Sequence, residues 1–180
     1  MPPKVTQHTL SYPQGYAPDH IEPANYSPFR FALGKLGAHP LVVICMNPSA
    51  AEDTLSDMTV NRIIKIGQAL GMDGWMIFNT YPERATNAKS LSVFDQNLCQ
   101  KNLTVIEDFL KKHNIAEVWG AWGNTDHPTL TEGKNRLITL LKNMGIKVYY
   151  FGTLTKSGNP RHPLQRYETW DFSHKHYLEI

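Results

Sequence analysis

The chain has 180 residues, 41% of them apolar and 11% aromatic, which suits one hydrophobic core and argues against a disordered chain or two full-sized domains. Eighteen lysines and arginines against sixteen acidic residues leave a net charge of +2, too mild to announce a nucleic-acid binder from the whole-chain balance. No stretch approaches the roughly twenty consecutive apolar residues of a membrane span, and two cysteines, Cys45 within an apolar run, do not make a disulfide framework.

Residues 1–28 are rich in proline and turn formers and predict an extended N-terminal arm, followed by a single α/β domain over 29–180. The first residues lack the apolar core of a signal peptide, so a cytoplasmic location is expected, and the sequons at Asn25 and Asn102 read as chance matches. Phe29 to Leu33 suits a short strand. Leu41 to Met46 is a continuous apolar run ended by Asn47-Pro48-Ser49, the pattern of a strand buried on both faces. Val60, Ile63, Ile64 and Leu70 recur at helical spacing over 57–70, with Asp57 as a candidate N-cap and Gly71 as a stop.

Gly74 to Asn79 reads as the second buried strand, followed by Tyr81-Pro82. A helix is predicted from about Ser92 to His113, a third strand from Ile115 to Trp122, a helix from Thr131 to Met144 capped by Gly145, and a fourth strand from Ile146 to Phe151. Four strands alternating with three helices predict a three-layer α/β/α sandwich around a central four-stranded parallel sheet. Ligands of such sheets bind beyond the carboxyl ends of the strands, where strand order reverses.

Polar clusters fall at those ends. Asn47-Pro48-Ser49 places an amide and a hydroxyl at the edge of the sheet, although the same residues also suit a simple turn. Asn79 follows four apolar residues, so its amide must find partners, and its adjacent donor and acceptor match the edge of a nucleobase. Arg84-Ala85-Thr86 can hold either its own loop or a phosphate. From Gly152 to Arg166 the chain carries Lys156, Arg161, His162 and Arg166 with no acidic residue, and flanking prolines stiffen His162. A stiff histidine beside cations suits donation to an anion, and the same composition also suits a rigid surface loop. No Walker loop, Gly-x-Gly-x-x-Gly or His-Glu-x-x-His occurs, so neither a cofactor nor a metal is expected.

Met46-Asn47-Pro48-Ser49-Ala50, Asp57-Met58-Thr59-Val60-Asn61-Arg62, Arg84-Ala85-Thr86, Ala121-Trp122-Gly123 and the stretch from Leu154 to Leu164 resemble the bacterial and phage family called domain of unknown function 1643, over about residues 28–167. More distantly, the order of strand-end motifs resembles the uracil-DNA glycosylase superfamily. Met46-Asn47-Pro48 is similar to its water-activating motif, Ile77-Phe78-Asn79-Thr80 to its base-reading strand, the segment from Val118 through Trp122 to Asn124 to its Leu-Trp-Gly strand, and His162-Pro163 to its His-Pro-Ser loop. Asn47 stands where the fast uracil-specific branch has a carboxylate, and the aromatic residue that screens out thymine is missing.

The resemblance implies a uracil-DNA glycosylase-like fold and hydrolysis of an N-glycosidic bond. Asn47 would orient water and His162 would donate to the departing base. Pro48, Ser49, Asn79, Tyr81, Arg84, Trp122 and Asn124 would shape the base site. Lys156, Arg161 and Arg166 would hold a backbone, and Leu164 would wedge a strand. The implied partner is a nucleobase-containing ligand, with DNA as a candidate and no membrane. Two alternatives remain at this stage: a noncatalytic nucleotide or modified-base binder, and a protein-interaction module using Trp122 and Tyr81.

Overall fold

A computed structural model of the protein describes residues 10–25, 28–165 and 170–180. In chain order the elements are β1 (His20–Glu22), β2 (Ala32–Lys35), β3 (Pro40–Cys45), α1 (Met58–Ala69), β4 (Gly74–Asn79), α2 (Gln96–Lys112), β5 (Glu117–Gly120), α3 (Pro128–Met144), β6 (Lys147–Tyr150) and β7 (His176–Tyr177). A short 3-10 turn covers Ala88–Ser90. No helix among the described residues is long and apolar enough to cross a membrane.

The strands form one sheet in the order β1-β2-β4-β3-β5-β6-β7. Its four inner strands, β4, β3, β5 and β6, run parallel, as the alternation of strands and helices predicts. The expected four-stranded sheet is corrected to a mixed seven-stranded one, because β1 and β2 extend it antiparallel on one side and β7 on the other. β1 lies within the segment expected to be an extended arm. Strands of three and two residues are too short to carry a hydrophobic period, so neither β1 nor β7 is visible in the pattern.

The strand expected at Phe29–Leu33 instead starts at Ala32, because Arg30 and Phe31 find other backbone partners. Arg30 N–H donates to the Pro82 carbonyl at 2.9 Å and Phe31 N–H to the Glu22 carbonyl at 2.7 Å.

Alternation along the strands divides the core. Leu41, Val43 and Cys45 of β3, with Trp75 and Ile77 of β4, pack toward Val60, Ile63 and Ile64 of α1. Val42 and Ile44, with Met76 and Phe78, pack toward Cys99, Ile106 and Phe109 of α2 and Leu137 and Leu141 of α3. Helices therefore cover both faces, and each buried aliphatic side chain contributes on the order of 1.5–3 kcal/mol relative to exposure.

Chain order places the site. From β3 the chain passes through α1 to β4 on one side, then returns through α2 to β5 on the other, so β3 stands where the winding reverses. Gly133 lets α3 approach the segment beyond β4, since a Cβ there would lie 2.4 Å from the carbonyl oxygen of Thr80.

Candidate functional site at the carboxyl ends of the strands

Hydrogen bonds tie the strand ends together. Thr80 N–H donates to the carbonyls of Cys45 at 3.0 Å and Met46 at 3.1 Å, and its hydroxyl donates to Met46 at 2.5 Å. From the opposite face, Nδ2 of the buried Asn102 donates to the Asn79 carbonyl at 3.0 Å. Asn102 is thus a positioning residue that sequence reading passed over. An asparagine on the apolar face of a helix is the signal that marks it.

Between these ends and the first turn of α1 lies a cavity of about 280 Å³. Asn47, Ser49, Asn79, His162 and Leu164, all singled out from the sequence, line it together with Arg30, Asp57, Thr59 and Thr86. Asn79 reaches it by strand parity: Trp75 and Ile77 face α1, so the side chain two residues on continues on that face. Its Nδ2 is buried and has no hydrogen-bond partner.

Asn47 uses its amide as a clamp, with Nδ2 donating to the carbonyls of Ala85 at 2.9 Å, Pro48 at 3.1 Å and Glu83 at 3.5 Å. No donor among the described residues reaches its Oδ1. Asp57 caps α1, accepting from Val60 N–H at 2.9 Å, and its other oxygen accepts from Ala51 N–H at 3.1 Å. Asp57 is therefore the helix cap expected from the sequence and also holds the turn after Asn47.

Arg30 was missed by sequence reasoning, although an arginine between two phenylalanines at the start of an apolar run is its signal. It is 2% exposed. Nη1 donates to the Ala51 carbonyl, and Nε has no partner. Burial pulls its pKa down to about 10, with Asp57 opposing the shift. Burial also pushes the Cys45 thiol up to about 12, so it remains a thiol and not a nucleophilic thiolate.

His162 is set by the loop that follows β6. Leu164 N–H donates to its Nδ1 at 3.2 Å, which leaves the proton of the neutral ring on Nε2. Burial lowers its pKa, partly offset by Asp57, and so favours that neutral form. Gly123, at φ 66°, packs against His162, where a Cβ would meet the histidine Cβ at 3.2 Å. The Gly123 N–H donates to the Pro160 carbonyl at 2.8 Å.

The other candidates lie outside the cavity. Trp122 is corrected from a lining residue to a core residue. One parity step past Ala121 turns it to the α2 and α3 face, where it is 1% exposed, and its indole donates to Asn159 Oδ1 at 3.2 Å. Tyr81 sits on that same face, with its hydroxyl accepting from Asp95 N–H at 3.0 Å. Neither aromatic is exposed, so the flat surface patch required of an interaction module is not formed by them.

Asn124 is exposed and accepts from the Thr155 hydroxyl at 2.8 Å. Lys156 is exposed on a turn, and Arg161 folds its guanidinium back to the Thr153 carbonyl at 2.9 Å. Pro48 and Arg84 stand behind the rim: the Pro48 carbonyl accepts from Ala85 N–H at 2.9 Å, and Arg84 Nε donates to the Ser49 carbonyl at 3.2 Å. Arg166 lies outside the described residues.

Fold and site together define a doubly wound α/β protein with a small polar-floored cavity at the switch point of its sheet. The family model described as protein of unknown function (DUF1643) matches residues 30–164, more than half of the chain, and the chain belongs to that family. The match runs from Arg30 to Leu164, both of which line the cavity. Searches among curated proteins and among solved structures each found no match.

Proposed function

We propose that the protein hydrolyses the N-glycosidic bond of a nucleobase-bearing ligand, using a uracil-DNA glycosylase-like sandwich. The observation that carries this reading is that Asn47, Asn79 and His162, which come from three separate segments of the chain, line one cavity. In such a reaction the sugar gains positive character while the base leaves with negative charge. Asn47, immobilised through Nδ2, holds a carbonyl oxygen in place to orient water by positioning rather than by basicity. A neutral His162 donates a hydrogen bond from Nε2 to the departing base, the sugar–base bond breaks as water bonds to the sugar carbon, and the base takes up the proton the water releases; a buried dipole is most effective there because little water screens it. Asn79 meets the base edge. At about 280 Å³ the cavity lies at the small end of ligand sites, which run to roughly 1,000 Å³, and so suits a small ligand.

A second reading, a binder that does not cleave, is favoured by one feature. The carboxylate on the cavity wall, Asp57, already accepts a backbone N–H at each oxygen and so holds the helix start and the turn before it. Incubation of the full chain with oligonucleotides and free nucleosides bearing normal and modified bases, followed by mass spectrometry and binding measurements, separates the readings. Release of free base supports the hydrolase, binding without release supports the binder, and neither binding nor release overturns both.

A further inference from the structure

The end of the cavity bounded by the first turn of α1 and by Arg30 has a surplus of donors. Arg30 Nε is buried and unpartnered. Ser49, Thr59 and Thr86 line the same cavity, and their hydroxyls have no hydrogen bond among the described residues. Thr59 sits in the first turn of a twelve-residue helix, where backbone N–H groups lack intrahelical acceptors and the helix dipole is positive. The opposing charge is Asp57. Its two oxygens accept from the N–H groups of Ala51 and Val60, and it offsets the charge of Arg30 while Arg30 Nε stays without an acceptor.

A buried cation with an unmet donor, next to a helix start and three hydroxyls, is a site short of acceptors. The helix in question follows the first central strand of a doubly wound sheet, which is where phosphate oxygens find free backbone N–H groups. We infer that this end of the cavity binds a phosphate group, so that on the nucleobase reading the ligand is a nucleotide and not a bare nucleoside or base. The inference goes beyond the nucleobase reading and stands without it: Arg30 and Thr59 take the phosphate, whatever the rest of the ligand is.

The test compares inorganic phosphate, nucleosides and the matching nucleoside 5′-monophosphates as ligands of the full chain, by calorimetry and by thermal melting. Phosphate alone is expected to raise the melting temperature, and monophosphates to bind roughly tenfold or more tightly than their nucleosides, the gain expected of about one charge-assisted contact. Arg30→Gln should abolish that preference. Because Arg30 is buried and its variant can fail to fold, Thr59→Asp is the second arm. A carboxylate in the first turn favours the helix and repels an anion, so this variant should fold and lose the preference.

Equal affinity for nucleoside and monophosphate, with no effect of inorganic phosphate, overturns the phosphate site and leaves the nucleobase reading standing. Phosphate binding with no gain from any attached base supports the site and overturns the nucleobase reading instead.

Discussion

The backbone N–H of Leu164 donates to Nδ1 of His162 at 3.2 Å, so a residue two positions along the chain selects the tautomer of the ring that lines the cavity. Protonation of His162 would require Nδ1 to become a donor, which breaks that bond, and burial opposes the charge as well.

This has a consequence for stability against pH. The folded pKa lies below the ordinary 6.5, so on acidification the unfolded chain takes up the proton first, and stability falls as pH drops from about 6.5 toward the lowered folded value. His162→Asn removes this contribution. Denaturant midpoints between pH 7.5 and 5 should therefore fall less steeply for the variant than for the parent, and parallel curves would contradict the buried neutral histidine.

Asn47→Asp should be destabilising. It replaces a donor to three carbonyls with a charged acceptor facing them. The loss is expected to be about 1–3 kcal/mol at neutral pH, read from the denaturation midpoint, and smaller at low pH where the acid is protonated. An unchanged midpoint would mean that the loop at Glu83–Ala85 does not depend on the clamp.

Asn79→Leu separates function from stability. The parent buries an amide nitrogen with no partner, a penalty that an apolar side chain of similar size removes. The variant is expected to be as stable as the parent within about 1 kcal/mol, or more stable, while losing base or nucleoside binding. Calorimetric binding that survives the substitution would remove Asn79 from the site.

Gly133→Ala tests how α3 positions the strand ends from the far side. The added methyl would sit 2.4 Å from the Thr80 carbonyl oxygen, and both groups are held by backbone, so helix or loop must move. A cost of roughly 1–3 kcal/mol is expected, with weaker ligand binding alongside, because Thr80 ties the ends of β3 and β4. Thermal melting together with a binding isotherm reads both effects.

The parallel centre of the sheet was legible because buried runs such as Leu41 to Cys45 and Trp75 to Phe78 alternate with amphipathic helices, and caps such as Asp57 and Gly145 announce themselves locally. The convergence of Asn47, Asn79 and His162 was legible too, since each terminates or follows a strand and all parallel strands end on one side. Arg30 was passed over: its place between two phenylalanines marks it as unusual, but nothing local shows that its backbone reaches Pro82 and turns its side chain toward the cavity.

Trp122 and Asn79 mark the boundary between the two kinds of information. Asn79 ends β4 and Trp122 lies two residues past β5, and sequence assigned both to the ligand, yet Asn79 faces α1 and the cavity while Trp122 is packed beneath α2 and α3. Sequence by itself determined which residues stand at the strand ends, since hydrophobic period and turn chemistry are local properties. Only the tertiary structure decided which face each one looks toward, because that depends on the register between strands and on which helix crosses which side of the sheet.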